Sequence, residues 1–118
     1  GLLHLKHEYA GALSGGQKKL LEIARALMVD PKMLLLDEPF AGVNPTLALR
    51  ILEWLKELRN RDNENDGITI MVIEHDMPKL MQLSDYIYVL NKGKVIASGA
   101  PEEVRANERV VEAYLGGV

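Results

Sequence analysis

A chain of 118 residues with 47% apolar and 26% charged side chains is long enough for one globular domain with a single core. Its formal charge of −3 gives no whole-molecule field to hold nucleic acid, and the lack of cysteine excludes disulfides and thiolate metal sites. The longest apolar runs, at 33–36 and 68–73, fall far short of the ~20 residues a membrane-spanning helix needs.

The chain opens on Gly1 rather than Met, and its first nine residues lack the charged-then-apolar order of a signal peptide. That start reads as an internal cut in a longer protein, or as a processed terminus. Ser14 and Gln17 then have the spacing of a capping box, which predicts a helix N-terminus. Leu20, Ile23, Ala24 and Leu27 lie on one face of that helix, and Asp30-Pro31 stops it. Residues 33–36 read as a short strand buried on both faces, as in parallel sheets.

Asn44-Pro45 reads as the cap and first residue of a second helix, Pro45–Arg59, with Ala48, Ile51, Leu52, Leu55 and Leu58 on one stripe. Residues 60–67 are polar and read as an exposed turn, and 68–73 read as a second buried strand. Two strands joined by one helix make a right-handed crossover unit. Asp76 can cap a short helix, Met77–Leu83. Residues 86–90 and 94–98 are strands turned on Asn91-Lys92-Gly93, and two helices follow at Pro101–Ala106 and 108–115. The layout is α/β, with a mainly parallel sheet flanked by helices. Three or four strands leave that sheet incomplete, so further strands are expected outside this sequence, and the chain alone should be marginally stable.

Two places suggest chemistry. Ser14-Gly15-Gly16-Gln17 joins glycines, which admit a ligand close to the backbone, to a helix N-terminus, which favours anions. An ordinary capped helix is the alternative reading of those residues. Asp37 and Glu38 stand at the carboxyl end of the first strand, where parallel sheets place their ligands. There an aspartate can hold Mg²⁺ and a glutamate can deprotonate water. His75 ends the second strand, so parallel pairing would bring it to the same edge as Glu38. His4 and His7 lack such a context and read as surface residues.

Leu13-Ser14-Gly15-Gly16-Gln17, the apolar run into Asp37-Glu38-Pro39, Ala41-Gly42-Val43-Asn44-Pro45 and Glu74-His75-Asp76 occur in that order. This series resembles the C-terminal half of the ATP-binding subunit of an ABC transporter, a partial P-loop NTPase fold. The resemblance extends through the Gly93 hairpin and Gly99-Ala100-Pro101-Glu102-Glu103-Val104. Gly42-Val43-Asn44-Pro45, Ile73-Glu74-His75-Asp76-Met77 and Ala113-Tyr114-Leu115-Gly116 resemble the subgroup that serves branched-chain amino acid importers.

By that resemblance residues 1–118 form the C-terminal portion of one nucleotide-binding domain. Residues 1–30 hold the signature motif and its helix, and 31–118 hold Walker B, the switch histidine and the terminal hairpin and helices. The resemblance implies ATP and Mg²⁺ as cofactors. Ser14, Gly15, Gly16 and Gln17 would bind the γ-phosphate held by an opposite subunit. Asp37 would act on Mg²⁺, Glu38 would be the catalytic base and His75 would stand at the γ-phosphate. Residues 41–44 would form the loop through which two subunits sense each other, although that loop usually ends in Asp and here ends in Asn44.

Implied partners are a second ATP-binding subunit, identical or not, transmembrane permease subunits and, indirectly, a substrate-binding protein, with no nucleic acid. The implied location is cytoplasmic, peripheral at the inner face of the cell membrane. No G-x-x-x-x-G-K-[ST] sequence occurs in the 118 residues, so the loop that grips the β- and γ-phosphates is absent from them. The chain alone is therefore expected to neither bind ATP tightly nor hydrolyse it. Alternatives are a non-catalytic module that lends its signature face to a complete partner, and a non-transport ABC ATPase.

Overall fold

A computed structural model describes every residue except Gly1, Ala10, Ala12, residues 62–66 and residues 116–118, and leaves out the side chain of Leu115. Contacts divide the chain into two compact units, Gly1–Asp76 and Met77–Val118.

The first unit begins with a 3₁₀ turn, Leu3–Leu5, and continues with α1, Gly15–Leu27. Ser14 caps α1 as its spacing predicts. Its hydroxyl accepts from the Gln17 N–H at 3.2 Å, and the Gln17 side chain accepts from the Ser14 N–H at 2.9 Å. Asp30 takes a left-handed φ of 53° before Pro31, which ends any helical continuation.

Strand β1, Met33–Asp37, pairs in parallel with β2, Thr69–Ile73, across helix α2, Pro45–Arg59. The expected pairing of two parallel strands joined by one helix is therefore present. Asn44 accepts from the Leu47 N–H at 2.8 Å and Pro45 occupies the first helical turn, so α2 starts where its cap sequence puts it. Ala48, Ile51, Leu52, Leu55 and Leu58 are all buried. Each fully buried Leu or Ile contributes about 1.5–3 kcal/mol, so packing rather than helix propensity holds α2. Leu34 and Phe40 join this core with Ile23 of α1.

The strands depart from the expectation of burial on both faces. Leu34 is buried, whereas Met33, Leu35, Met71 and Ile73 are 51–67% exposed. Residues of one strand face point alternately, and the register sets Leu35 beside Met71. One side of the ladder thus meets the core and the other carries apolar side chains to its surface.

In the second unit α3, Met77–Leu83, begins directly after Asp76. Strands β3, Ile87–Asn91, and β4, Lys94–Gly99, form an antiparallel hairpin with an irregularity between Val89 and Leu90. Lys92 and Gly93 both have positive φ, 50° and 77°, the two-residue turn whose twist matches the strands. Helices α4, Pro101–Ala106, and α5, Glu108–Val110, follow. The second tail helix expected over 108–115 changes character at Val111, where the chain passes into a π-type turn to Leu115. Met77, Leu80, Leu83, Ile87, Val89, Val104 and Val110 make this unit's core. Among the described residues the strands form two two-stranded ladders, one parallel and one antiparallel.

Candidate functional site

Parallel register decides where the acidic pair and the imidazole meet. Asp37 is opposite Ile73, so the residues that follow each strand leave the sheet side by side. The Glu38 N–H donates to the Ile73 carbonyl at 2.7 Å, extending the ladder one step past β1. Glu38 itself holds φ at 46°, the left-handed region. An L side chain pays ~1–2 kcal/mol for that conformation. The Ala41 N–H closes the turn onto the Glu38 carbonyl at 3.1 Å. This bend turns the Glu38 carboxylate toward the second strand's end, where His75 Nδ1 lies 3.0 Å from Oε1.

His75 and Glu38 are both open to solvent, with side chains 72% and 48% exposed. An ion pair there is screened and contributes little to stability. Its value lies in geometry: a carboxylate and an imidazole share one accessible edge, with Asp37 exposed beside them. Magnesium typically takes one or two carboxylates and completes its shell with water and phosphate oxygens. Asp37 suits that role as a single ligand. No group of three or more ligating side chains occurs among the described residues, so phosphate and water would supply the remaining donors.

Glu74 stands in the motif series but carries no role of its own in the sequence reading. Its side chain is 1% exposed. Oε1 accepts from the backbone N–H groups of His75 at 2.9 Å and Asp76 at 3.2 Å, and Oε2 accepts from Phe40 N–H at 3.4 Å. The available signal was an acid inserted between an apolar strand and its terminal histidine.

The glycine corner forms a second group. Ser14 and Gly15 are exposed, and the Ser14 hydroxyl, which accepts from Gln17, retains its own proton for donation. Gly16 is buried. A Cβ there would overlap Leu47 Cδ2 and stand 3.3 Å from Leu47 Cγ and 3.4 Å from Val43 Cγ1. Its missing side chain makes room for α2 and the loop before it. A Cβ on Gly15 would meet the Gly42 carbonyl at 3.5 Å, so the corner abuts the loop that follows the acidic pair. Beside the corner an open cavity of about 550 Å³ is lined by His4, Ser14, Gln17, Asn44, Thr46 and Arg50, among others. His4, which reads from the sequence as a plain surface residue, therefore stands near Ser14, and nothing in its local sequence signals that.

A family model for ABC transporters matches residues 1–41, and one for branched-chain amino acid ATP-binding cassette transporters matches residues 94–118. The high-affinity branched-chain amino acid transport ATP-binding protein LivG of Salmonella typhimurium is 47% identical over 116 residues, covering 98% of this chain and 44% of LivG. A probable LivG of Archaeoglobus fulgidus is 46% identical over 113 residues, covering 96% of this chain and 42% of that protein. Among solved structures, a nucleotide-free ATP-binding cassette from an ABC transporter superposes with a TM-score of 0.81 at 43% identity, over 96% of this chain and 44% of that one. The ADP conformation of the cassette MJ1267 superposes with a TM-score of 0.79 at 44% identity, over the same shares. The chain thus spans less than half the length of the relatives it matches. The α/β, partial ABC ATPase fold expected from the motifs is borne out.

Proposed function

Because this chain belongs to the ATP-binding proteins of ABC transporters, and matches the C-terminal portion of the branched-chain amino acid type, we propose that it contributes the hydrolytic edge of an ATPase that powers amino-acid import. The observation that carries this reading is the 3.0 Å approach of His75 to Glu38 at the ends of two parallel strands, with Asp37 alongside. In it, residues 1–118 are one portion of a single nucleotide-binding domain. Glu38 takes the proton of an attacking water, which raises rates ~10²–10⁴-fold in general base catalysis. His75 holds the Glu38 carboxylate and faces the terminal phosphate. Asp37 binds Mg²⁺, which neutralises charge on the phosphates.

Ser14, Gly15, Gly16 and Gln17 act in trans, on the γ-phosphate of a nucleotide held by a second ATP-binding subunit in a head-to-tail dimer. The exposed Ser14 hydroxyl and the free N-terminal N–H groups of α1 supply the donors. Permease subunits and, through them, a substrate-binding protein complete the assembly, at the inner face of the cell membrane. No helix among the described residues is long and apolar enough to cross a membrane.

With no G-x-x-x-x-G-K-[ST] sequence in its 118 residues, the isolated chain neither binds ATP tightly nor hydrolyses it. Calorimetry of the chain with ATP and Mg²⁺ tests that, and micromolar affinity refutes it. Reassembly with the N-terminal portion of a relative such as LivG should restore hydrolysis, and Glu38→Gln should lower that rate by about 100-fold or more. Restored turnover that ignores Glu38→Gln would remove Glu38 from its role.

A further inference from the structure

We propose that Glu74 is a positioning residue: its buried carboxylate ties together the loops that follow β1 and β2 and, with Glu38, fixes His75 in one tautomer. A carboxylate that is 1% exposed is costly unless hydrogen bonds compensate it. Here three backbone N–H groups do so. Two belong to His75 and Asp76, and the third, from Phe40, comes from the other strand's loop. One side chain therefore sets the spacing between the turn that carries Glu38 and the backbone that carries His75.

The same carboxylate lies near the imidazole, close enough for its charge to favour a proton on Nδ1 while Glu38 accepts the hydrogen bond itself. His75 Nδ1 is 3.0 Å from Glu38 Oε1 and 3.4 Å from Glu74 Oε1. Ionised carboxylates only accept hydrogen bonds, so Nδ1 must carry the proton. The neutral ring then has a bare Nε2, an acceptor. A hydrogen bond from Nε2 to a phosphate oxygen consequently requires the imidazolium form, whereas the neutral ring can accept from a water or a protonated group. Only this last consequence rests on the function proposed above. The tautomer itself is a property of the chain and can fail separately.

The test is long-range ¹H–¹⁵N correlation of the histidine rings in the 118-residue chain, in trimethylamine oxide sufficient to populate the folded state and at a pH where the rings are neutral. The His75 ring is assigned by its loss in His75→Gln. The native chain should show the Nδ1–H form. Glu74→Ala should raise the Nε2–H population at least twofold, while Glu74→Gln, which keeps an acceptor oxygen for the His75 and Asp76 amides, should largely retain Nδ1–H. In Glu74→Gln the Phe40 amide should exchange with solvent roughly tenfold faster, the scale of one lost hydrogen bond to a charged group. An Nε2–H ring in the native chain overturns the proposal, as does an unaltered ring in a folded Glu74→Ala chain. If Glu74→Ala does not fold, unchanged Phe40 exchange in Glu74→Gln overturns it.

Discussion

Gly16 offers a quantitative test of how the glycine corner is built. In Gly16→Ala the new methyl overlaps Leu47 Cδ2 and crowds Leu47 Cγ and Val43 Cγ1 at 3.3 and 3.4 Å. Overpacking of this kind costs ~1–3 kcal/mol. Removing a helical glycine returns up to about 1 kcal/mol. The net loss should be about 1 kcal/mol. Leu47→Ala, at a half-buried position, should also cost about 1 kcal/mol from lost apolar burial. In the double variant the methyl enters the space Leu47 vacates, the clash vanishes and the helix gain remains. That chain should stand close to the native stability, giving a coupling of about 2 kcal/mol between the two sites. The assay is urea unfolding followed by circular dichroism, at a fixed concentration of trimethylamine oxide that populates the folded state. Costs that add to within ~0.5 kcal/mol would refute the contact, and with it the claim that Gly16 serves packing against α2.

Asn44→Asp should keep the cap on the Leu47 N–H and add a negative charge at the N-terminus of α2, stabilising the chain by about 0.3–1 kcal/mol at low salt. Urea titrations at low and high salt check it, and a gain that survives high salt would contradict the electrostatic cause. Leu35→Lys with Met71→Lys should reduce binding of a hydrophobic dye and any self-association seen by sedimentation, with stability changed by no more than ~0.5 kcal/mol, because both side chains are exposed. A loss above about 2 kcal/mol would mean that this face is packed within the chain.

Local chemistry determined much of this protein in advance. The Ser14–Gln17 box, the Asn44-Pro45 start and the five-residue stripe of α2 are nearest-neighbour or helical-period features, and each formed where its residues demanded. The Asn91-Lys92-Gly93 hairpin is local in the same way. Order along the chain also pointed to Asp37, Glu38 and His75, since a ligand edge follows from strand ends alone. Tertiary structure decided the rest. The left-handed φ of Glu38 arises where its N–H joins the Ile73 carbonyl, a partner 35 residues away that no local pattern names. Glu74 became a buried junction only when Phe40 approached it across two loops. The exposed side of β1 and β2 could not be read from apolar runs, because a run of Leu and Ile records affinity for cover and not which element supplies it. That Gly16 also leaves the space Leu47 fills could not be read in advance, since a glycine's sequence does not say which atoms occupy the volume it leaves.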